Sequence, residues 1–172
     1  MIYAFLANGF EETEAIVPID LIRRCEKDLI TVGVGGQIIK GSHGIPVFAD
    51  IEEREIVLDE NLEMIILPGG MPGTINLEKS EYVQKAVDFC VENNIPIASI
   101  CAAPSILGHK GLLDGKKACC YTGYDTQLRE AVYDADAKVC VDGNFITARG
   151  AGVALEFGLA LVEKLISKER CE

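Results

Sequence analysis

Cys101 closes the apolar run Ile95-Pro96-Ile97-Ala98-Ser99-Ile100 and opens Ala102-Ala103-Pro104-Ser105-Ile106-Leu107. The first run reads as a buried strand and the second as the start of a helix, so the cysteine falls on a strand-to-helix corner. A corner of that kind pushes the sulfur outward. It also sets the sulfur at the positive end of the helix, where main-chain N–H groups have no partners. That field favours the thiolate, the reactive form of cysteine. The arrangement resembles the nucleophile elbow of α/β enzymes, although Gly-x-Ser-x-Gly is absent.

Two further segments supply groups that a nucleophile can use. Glu11, Glu12 and Glu14 follow the first apolar run, and Gly69-Gly70 follows Met64-Ile65-Ile66-Leu67-Pro68. Acids at a helix start are favoured by the macrodipole alone, which suffices for Glu11 and Glu12. Glu14 lies at the edge of the apolar stripe, and Pro18, four residues on, cannot donate to its carbonyl. A carboxyl in a half-buried pocket has a raised pKa and can carry a proton or bond a cysteine sulfur. Periodicity leaves that role and a plain first-turn acid both open. Gly69-Gly70 is not a phosphate loop, because no Lys-Ser/Thr follows, and Gly33-Val34-Gly35-Gly36 lacks the dinucleotide pattern. Beside a cysteine, the N–H groups of Gly70 and Ala102 can form an oxyanion hole.

No histidine joins this set. His109 lies eight residues beyond Cys101, about 12 Å by helical rise, and reads as a surface side chain. His43 sits in the Gly41-Ser42-His43-Gly44 turn and reads as exposed. Neither has metal-ligand spacing, so neither a metal nor another cofactor is expected. The seven cysteines include no Cys-x-x-Cys pair, and their odd number does not suggest a disulfide framework. Cys25, Cys90, Cys119, Cys120 and Cys140 read as small buried hydrophobes, and Cys171 as part of a frayed tail.

These residues need a scaffold, and the pattern provides one. Strands are expected at 2–7, 28–34, 64–67, 95–100, 117–121 and 138–141, with two short ones within 37–49 and a hairpin return at 145–147. Helices are expected at 11–26, with Ala15, Ile16, Ile19, Leu21 and Ile22 facing inward, at 80–93, after Cys101, and at 151–167. Strands alternating with helices imply a single α/β domain over 1–172, a mostly parallel sheet with helices on both faces. Ligands in such sheets bind beyond the carboxyl ends of the strands, where the three segments meet.

Composition narrows the function. A net charge of −11 makes nucleic acid or an anionic membrane surface a poor partner. The opening Met1-Ile2-Tyr3-Ala4-Phe5-Leu6-Ala7 lacks a basic leader, and no apolar run is long enough to span a bilayer. The expected location is the cytoplasm.

The chain resembles the ThiJ/PfpI superfamily, in its DJ-one branch of parkinsonism-associated deglycase-like proteins. The resemblance rests on Gly9-Phe10-Glu11-Glu12-Thr13-Glu14-Ala15-Ile16-Val17-Pro18, Leu67-Pro68-Gly69-Gly70, Ala98-Ser99-Ile100-Cys101-Ala102-Ala103-Pro104 and Thr147-Ala148-Arg149-Gly150-Ala151-Gly152. It implies a flavodoxin-like three-layer sandwich and a homodimer. It implies that Cys101 is the reactive cysteine and Glu14 its protonated partner, with Gly70 and Ala102 as oxyanion donors. Gly69 and Tyr121 would lie against the substrate, and Arg24 would reach the neighbouring subunit's pocket. Tyr121 stands where some members carry a histidine, and that lack of a Cys-His dyad weakens a peptidase or glutaminase reading. The chain also stops soon after its last helix, so a more open pocket is expected. The implied activity is of glyoxalase or deglycase type, turning methylglyoxal or its early adducts into a hydroxy acid. The alternative is a redox-sensing or chaperone-like stress protein whose Cys101 oxidises to a sulfinate.

Overall fold

A computed structural model describes residues 1–167, so Cys171 lies outside the described residues. In chain order the strands are β1 (Ile2–Ala7), β2 (Leu29–Val34), β3 (Ile38–Lys40), β4 (Pro46–Phe48), β5 (Ile51–Glu52), β6 (Met64–Leu67), β7 (Ile97–Ile100), β8 (Lys117–Ala118), β9 (Val132–Tyr133), β10 (Val139–Asp142) and β11 (Phe145–Ala148). The α-helices are α1 (Glu12–Arg24), α2 (Gly73–Lys79), α3 (Glu81–Glu92), α4 (Pro104–His109) and α5 (Ala154–Leu165). Seven strands form one sheet in the order β10-β11-β7-β6-β1-β2-β5, parallel throughout except for the β10–β11 hairpin. The α/β sandwich expected from the alternation is therefore present.

Its layers follow from the two-residue period of a strand. Ile2, Ala4 and Leu6 of β1, Met64 and Ile66 of β6, and Ala98 and Ile100 of β7 pack under α1 and α5, with Ala15, Ile19, Ile22, Phe157 and Leu161. The intervening Tyr3, Phe5, Ile65, Leu67 and Ile97 face the other way, into Leu77 of α2, Val83 and Val87 of α3, and Ile106 and Leu107 of α4. Both faces of the central strands are apolar because both are covered. Gly158 lets α5 approach α1 closely: a Cβ there would lie 2.6 Å from Leu21 and 3.2 Å from Pro18.

Several expectations needed correction. Ile16 is exposed, and Pro18 takes its place on the buried face of α1. The strand expected over 117–121 ends at Ala118, and beyond it the Tyr121 N–H is taken by the Cys101 carbonyl instead of a strand partner. The helix expected directly after Cys101 begins only at Pro104 and is six residues long. α2, β5 and β9 were not foreseen. Cys90, Cys119, Cys120 and Cys140 are buried and Cys25 is half-buried. No helix among the described residues is long and apolar enough to cross a membrane.

Candidate active site

β1, β6 and β7 lie side by side in the middle of the sheet, and the segments leaving their carboxyl ends converge. From β1 the chain reaches Glu11, which caps α1: its Oε2 accepts the Glu14 N–H at 2.8 Å. From β6 come Gly69 and Gly70. The Gly69 carbonyl accepts the Glu11 N–H at 2.9 Å, and the Gly69 N–H donates to Glu14 Oε2 at 3.0 Å. From β7 comes Cys101, held in the left-handed region at φ 66°. Its N–H donates to the Ala148 carbonyl at 2.9 Å, and its own carbonyl accepts the Tyr121 N–H at 2.8 Å. Fixing the main chain on both sides allows a non-glycine residue to keep that conformation.

The close approach depends on two glycines. A Cβ on Gly69 would fall 2.5 Å from the Cys101 Cβ and 2.6 Å from Glu14 Oε2. Gly70 adopts φ 90°, and a Cβ on it would fall 2.4 Å from the Glu11 nitrogen. Glu14 is only 1% exposed, and its carboxyl accepts from the Cys101 thiol and from the Gly69 and Ala151 N–H groups. Burial, aided by the Glu11 charge, pushes its pKa up to about 7. The Cys101 sulfur in turn faces the Gly70 and Ala102 N–H groups, the pair assigned from sequence as oxyanion donors.

One expectation about this sulfur is reversed. Burial, then the Glu14 charge and hydrogen bond, push the Cys101 thiol up to about 12. The Gly70 and Ala102 N–H groups lower the thiol only in part. With Glu14 raised to about 7 and Cys101 to about 12, the pair takes on a single negative charge as pH rises through neutrality, and that charge sits on the carboxylate while the thiol keeps its proton.

The remaining candidates are spread out. Tyr121 is exposed and stands over Gly150, whose Cβ position lies 3.3 Å from its ring and 3.8 Å from Glu14 Oε1. Arg24 sits at the far end of α1 from Glu14, about 15 Å along the helix. It is exposed there and paired with Asp20 at 2.7 Å. His109 bridges Glu78 and Gln127 at the surface, as expected of a side chain outside the site.

Glu12 is more than a first-turn acid. It is buried, and it accepts from the His43 N–H at 2.8 Å, His43 Nδ1 at 3.0 Å, the Ser42 hydroxyl at 3.3 Å and the Ile45 N–H at 3.4 Å. Burial opposes its charge, but these donors outweigh it and hold the carboxyl down at about 2. Glu12 thus clamps the β3–β4 turn beside the site. Glu11, Glu12 and His43 place ligand atoms within 4.8 Å of one another, and the hydrogen bonds just described account for that grouping. The contact joins residues 31 apart, and no local spacing signals it.

The DJ-1/PfpI family profile matches residues 1–164. The chain belongs to this family. It is 36% identical over 167 residues to the protein DJ-1 homolog B of Arabidopsis thaliana, covering 96% of this chain but 38% of that protein. It is 32% identical over 149 residues to a deglycase of Pyrococcus abyssi, covering 85% and 87% of the two chains. The crystal structure of Drosophila melanogaster DJ-1beta superposes with a TM-score of 0.93 at 32% identity, covering 99% of this chain and 92% of that one. A Caenorhabditis elegans relative, 29% identical over 93% of this chain and 85% of its own length, is a glutathione-independent glyoxalase. Family membership and the flavodoxin-like fold are therefore findings, and the family includes enzymes.

Proposed function

We propose that the protein is a cysteine-dependent enzyme of small reactive carbonyls, of glyoxalase or deglycase type, acting on methylglyoxal or its early adducts. The observation that carries this reading is the Cys101–Glu14 pair: a nucleophile in hydrogen-bond contact with a carboxyl whose pKa is about 7. A carboxyl poised there both takes and returns a proton near neutral pH. Relatives named deglycase and glyoxalase support the same class of reaction.

Methylglyoxal suffices to write the steps. The Cys101 proton passes to Glu14 as sulfur bonds to the aldehyde carbon, giving a hemithioacetal. Gly70 and Ala102 N–H groups, already beside the sulfur, face the oxygen on the carbon bonded to it. Glu14 returns that proton to the hemithioacetal oxygen and, again a carboxylate, takes the proton from that carbon and delivers it to the neighbouring carbonyl carbon, while the hydroxyl proton shifts to the second oxygen. The first carbon is oxidised to a thioester while the second is reduced to an alcohol, so no outside oxidant is needed. Water cleaves the thioester, releasing lactate and the thiol. Gly69 keeps the floor open, and Tyr121 covers one side of the substrate.

The acting unit in this reading is a cytoplasmic homodimer of one domain per chain, with Arg24 holding an acidic product in the partner's pocket. The exposed apolar side chains of Ile16, Ile38 and Phe48 support an interface on the α1 and β3–β4 side. Purified protein should convert methylglyoxal to lactate over many turnovers, and Cys101→Ser should not. Stoichiometric consumption of peroxide at Cys101 without aldehyde turnover would instead favour a redox sensor. Sedimentation as a monomer with full activity would remove the dimer and the role of Arg24.

A further inference from the structure

A cleft of about 410 Å³ is lined by Tyr121, Thr122, Lys138, Arg149 and the Gly150–Val153 turn. Two of its wall residues adjoin the Cys101–Glu14 pair: the Gly150 Cβ position is 3.8 Å from Glu14 Oε1, and the Tyr121 N–H donates to the Cys101 carbonyl at 2.8 Å. Its size lies within the range of ligand pockets, about 300–1,000 Å³, and exceeds what a three-carbon aldehyde fills. Its charge is also out of character. The chain carries a net charge of −11, yet the charged side chains lining this cleft are Lys138 and Arg149, with no carboxylate among them.

Neither cation is firmly neutralised. Arg149 donates Nη2 to the Asp136 carbonyl at 2.8 Å and Nε to the Ala137 carbonyl at 3.3 Å. Carbonyls fix the guanidinium without cancelling its charge, and Arg149 has no ion pair among the described residues. Lys138 pairs with Glu156 at 2.6 Å, but the lysine is largely exposed and the glutamate partly so, and such surface pairs are weak and exchangeable. An arginine fixed by carbonyls and an exposed lysine on the wall of one cleft can receive an anion.

We infer that this cleft is the subsite for an anionic tail, and that the preferred substrate is an α-oxoaldehyde longer than methylglyoxal ending in a carboxylate or similar anion. The inference rests on the reading of the pair as a carbonyl enzyme and names the substrate class for it. The aldehyde end lies at Cys101, the chain passes Gly150 under Tyr121, and the anion ends between Lys138 and Arg149.

A matched pair of aldehydes tests it: 4,5-dioxopentanoate, which carries a terminal carboxylate, and 2-oxopentanal, its uncharged equal in length. The ratio of their kcat/KM values should favour the anion about tenfold, mainly through KM. Lys138→Glu should abolish that preference. Gly152→Leu provides a second variant, since Gly152 lines the cleft and a Cβ there meets nothing within 4 Å. It should depress both five-carbon aldehydes relative to methylglyoxal. A ratio near one in the native protein, or one unmoved by Lys138→Glu, would overturn the subsite and leave the carbonyl chemistry standing. If neither aldehyde turns over, the chemistry falls, and the subsite is read from ligand protection. In that case 2-hydroxyglutarate, but not 2-hydroxypentanoate, should slow iodoacetamide labelling of Cys101, and Lys138→Glu should remove the protection. Equal protection by the two acids, or none, would overturn it.

Discussion

Glu14→Gln should make the folded protein more stable and the enzyme far worse, and the stability change should appear only as pH rises. The substitution leaves the shape of the side chain. Its amide oxygen can still accept the Gly69 N–H. What it removes is a carboxyl whose pKa burial has lifted from 4.5 to about 7. Between those two values the folded chain holds a proton that the unfolded chain has released, so native stability falls as pH rises. A gap of about 2.5 pH units at roughly 1.4 kcal/mol each makes the full cost about 3 kcal/mol above pH 7. Below pH 4.5 both states are protonated and the cost is absent. Urea unfolding of both proteins at pH 4, 5, 6, 7 and 8 gives the comparison. The stability difference should move by about 3 kcal/mol in favour of the variant across that range. Turnover of methylglyoxal should fall by roughly 10²–10⁴, the usual contribution of a positioned acid–base group. Parallel stability curves would show that no charge is being buried, and undiminished turnover would show that Glu14 carries no proton.

The same pair sets a pH profile: kcat/KM for methylglyoxal should climb to about pH 7 as the first proton leaves, then stay level, because the second is held to about 12. A fall between pH 7 and 9 would mean the two groups do not share one charge. Gly69→Ala should separate the pair, since its Cβ would meet the Cys101 Cβ at 2.5 Å. We expect a loss of about 1–3 kcal/mol in stability and at least a tenfold loss of turnover, read by urea unfolding and lactate formation. Cys101→Gly should be more stable than Cys101→Ala by about 1 kcal/mol in thermal unfolding, because glycine adopts φ 66° without strain. Equal melting temperatures would place the strain elsewhere.

The layers of the fold were legible because burial on both faces leaves a continuous apolar run, as in Met64-Ile65-Ile66-Leu67, and helices leave a stripe, as in Ala15, Ile19 and Ile22. The convergence of Glu14, Gly69, Gly70 and Cys101 was legible from strand ends. Less visible were features decided by tertiary contact. Ile16 is apolar but exposed, since the slot against α5 is taken by Pro18 over Gly158. The clamp of Glu12 on His43 joins a helix start to a hairpin turn 31 residues on. The thiol's raised pKa depends on burial and on Glu14, whereas local sequence shows only a nearby helix start.

The two costly features of the site, a buried carboxyl and a cysteine in left-handed conformation, are held by the same small set of main-chain bonds. Gly69 donates to Glu14 and accepts from Glu11, while Cys101 is tied at its N–H to Ala148 and at its carbonyl to Tyr121. Each bond runs from one central strand end to another segment, so neither feature can relax without disturbing the sheet's carboxyl edge. A carboxyl free to reach water would lose its raised pKa, and a cysteine free to leave φ 66° would turn its sulfur from the Gly70 and Ala102 N–H groups. The rules that predict the rest of the chain favour an exposed acid and a relaxed cysteine. They fail at one place, where strain and desolvation are what give a thiol and a carboxyl one mobile proton near neutral pH.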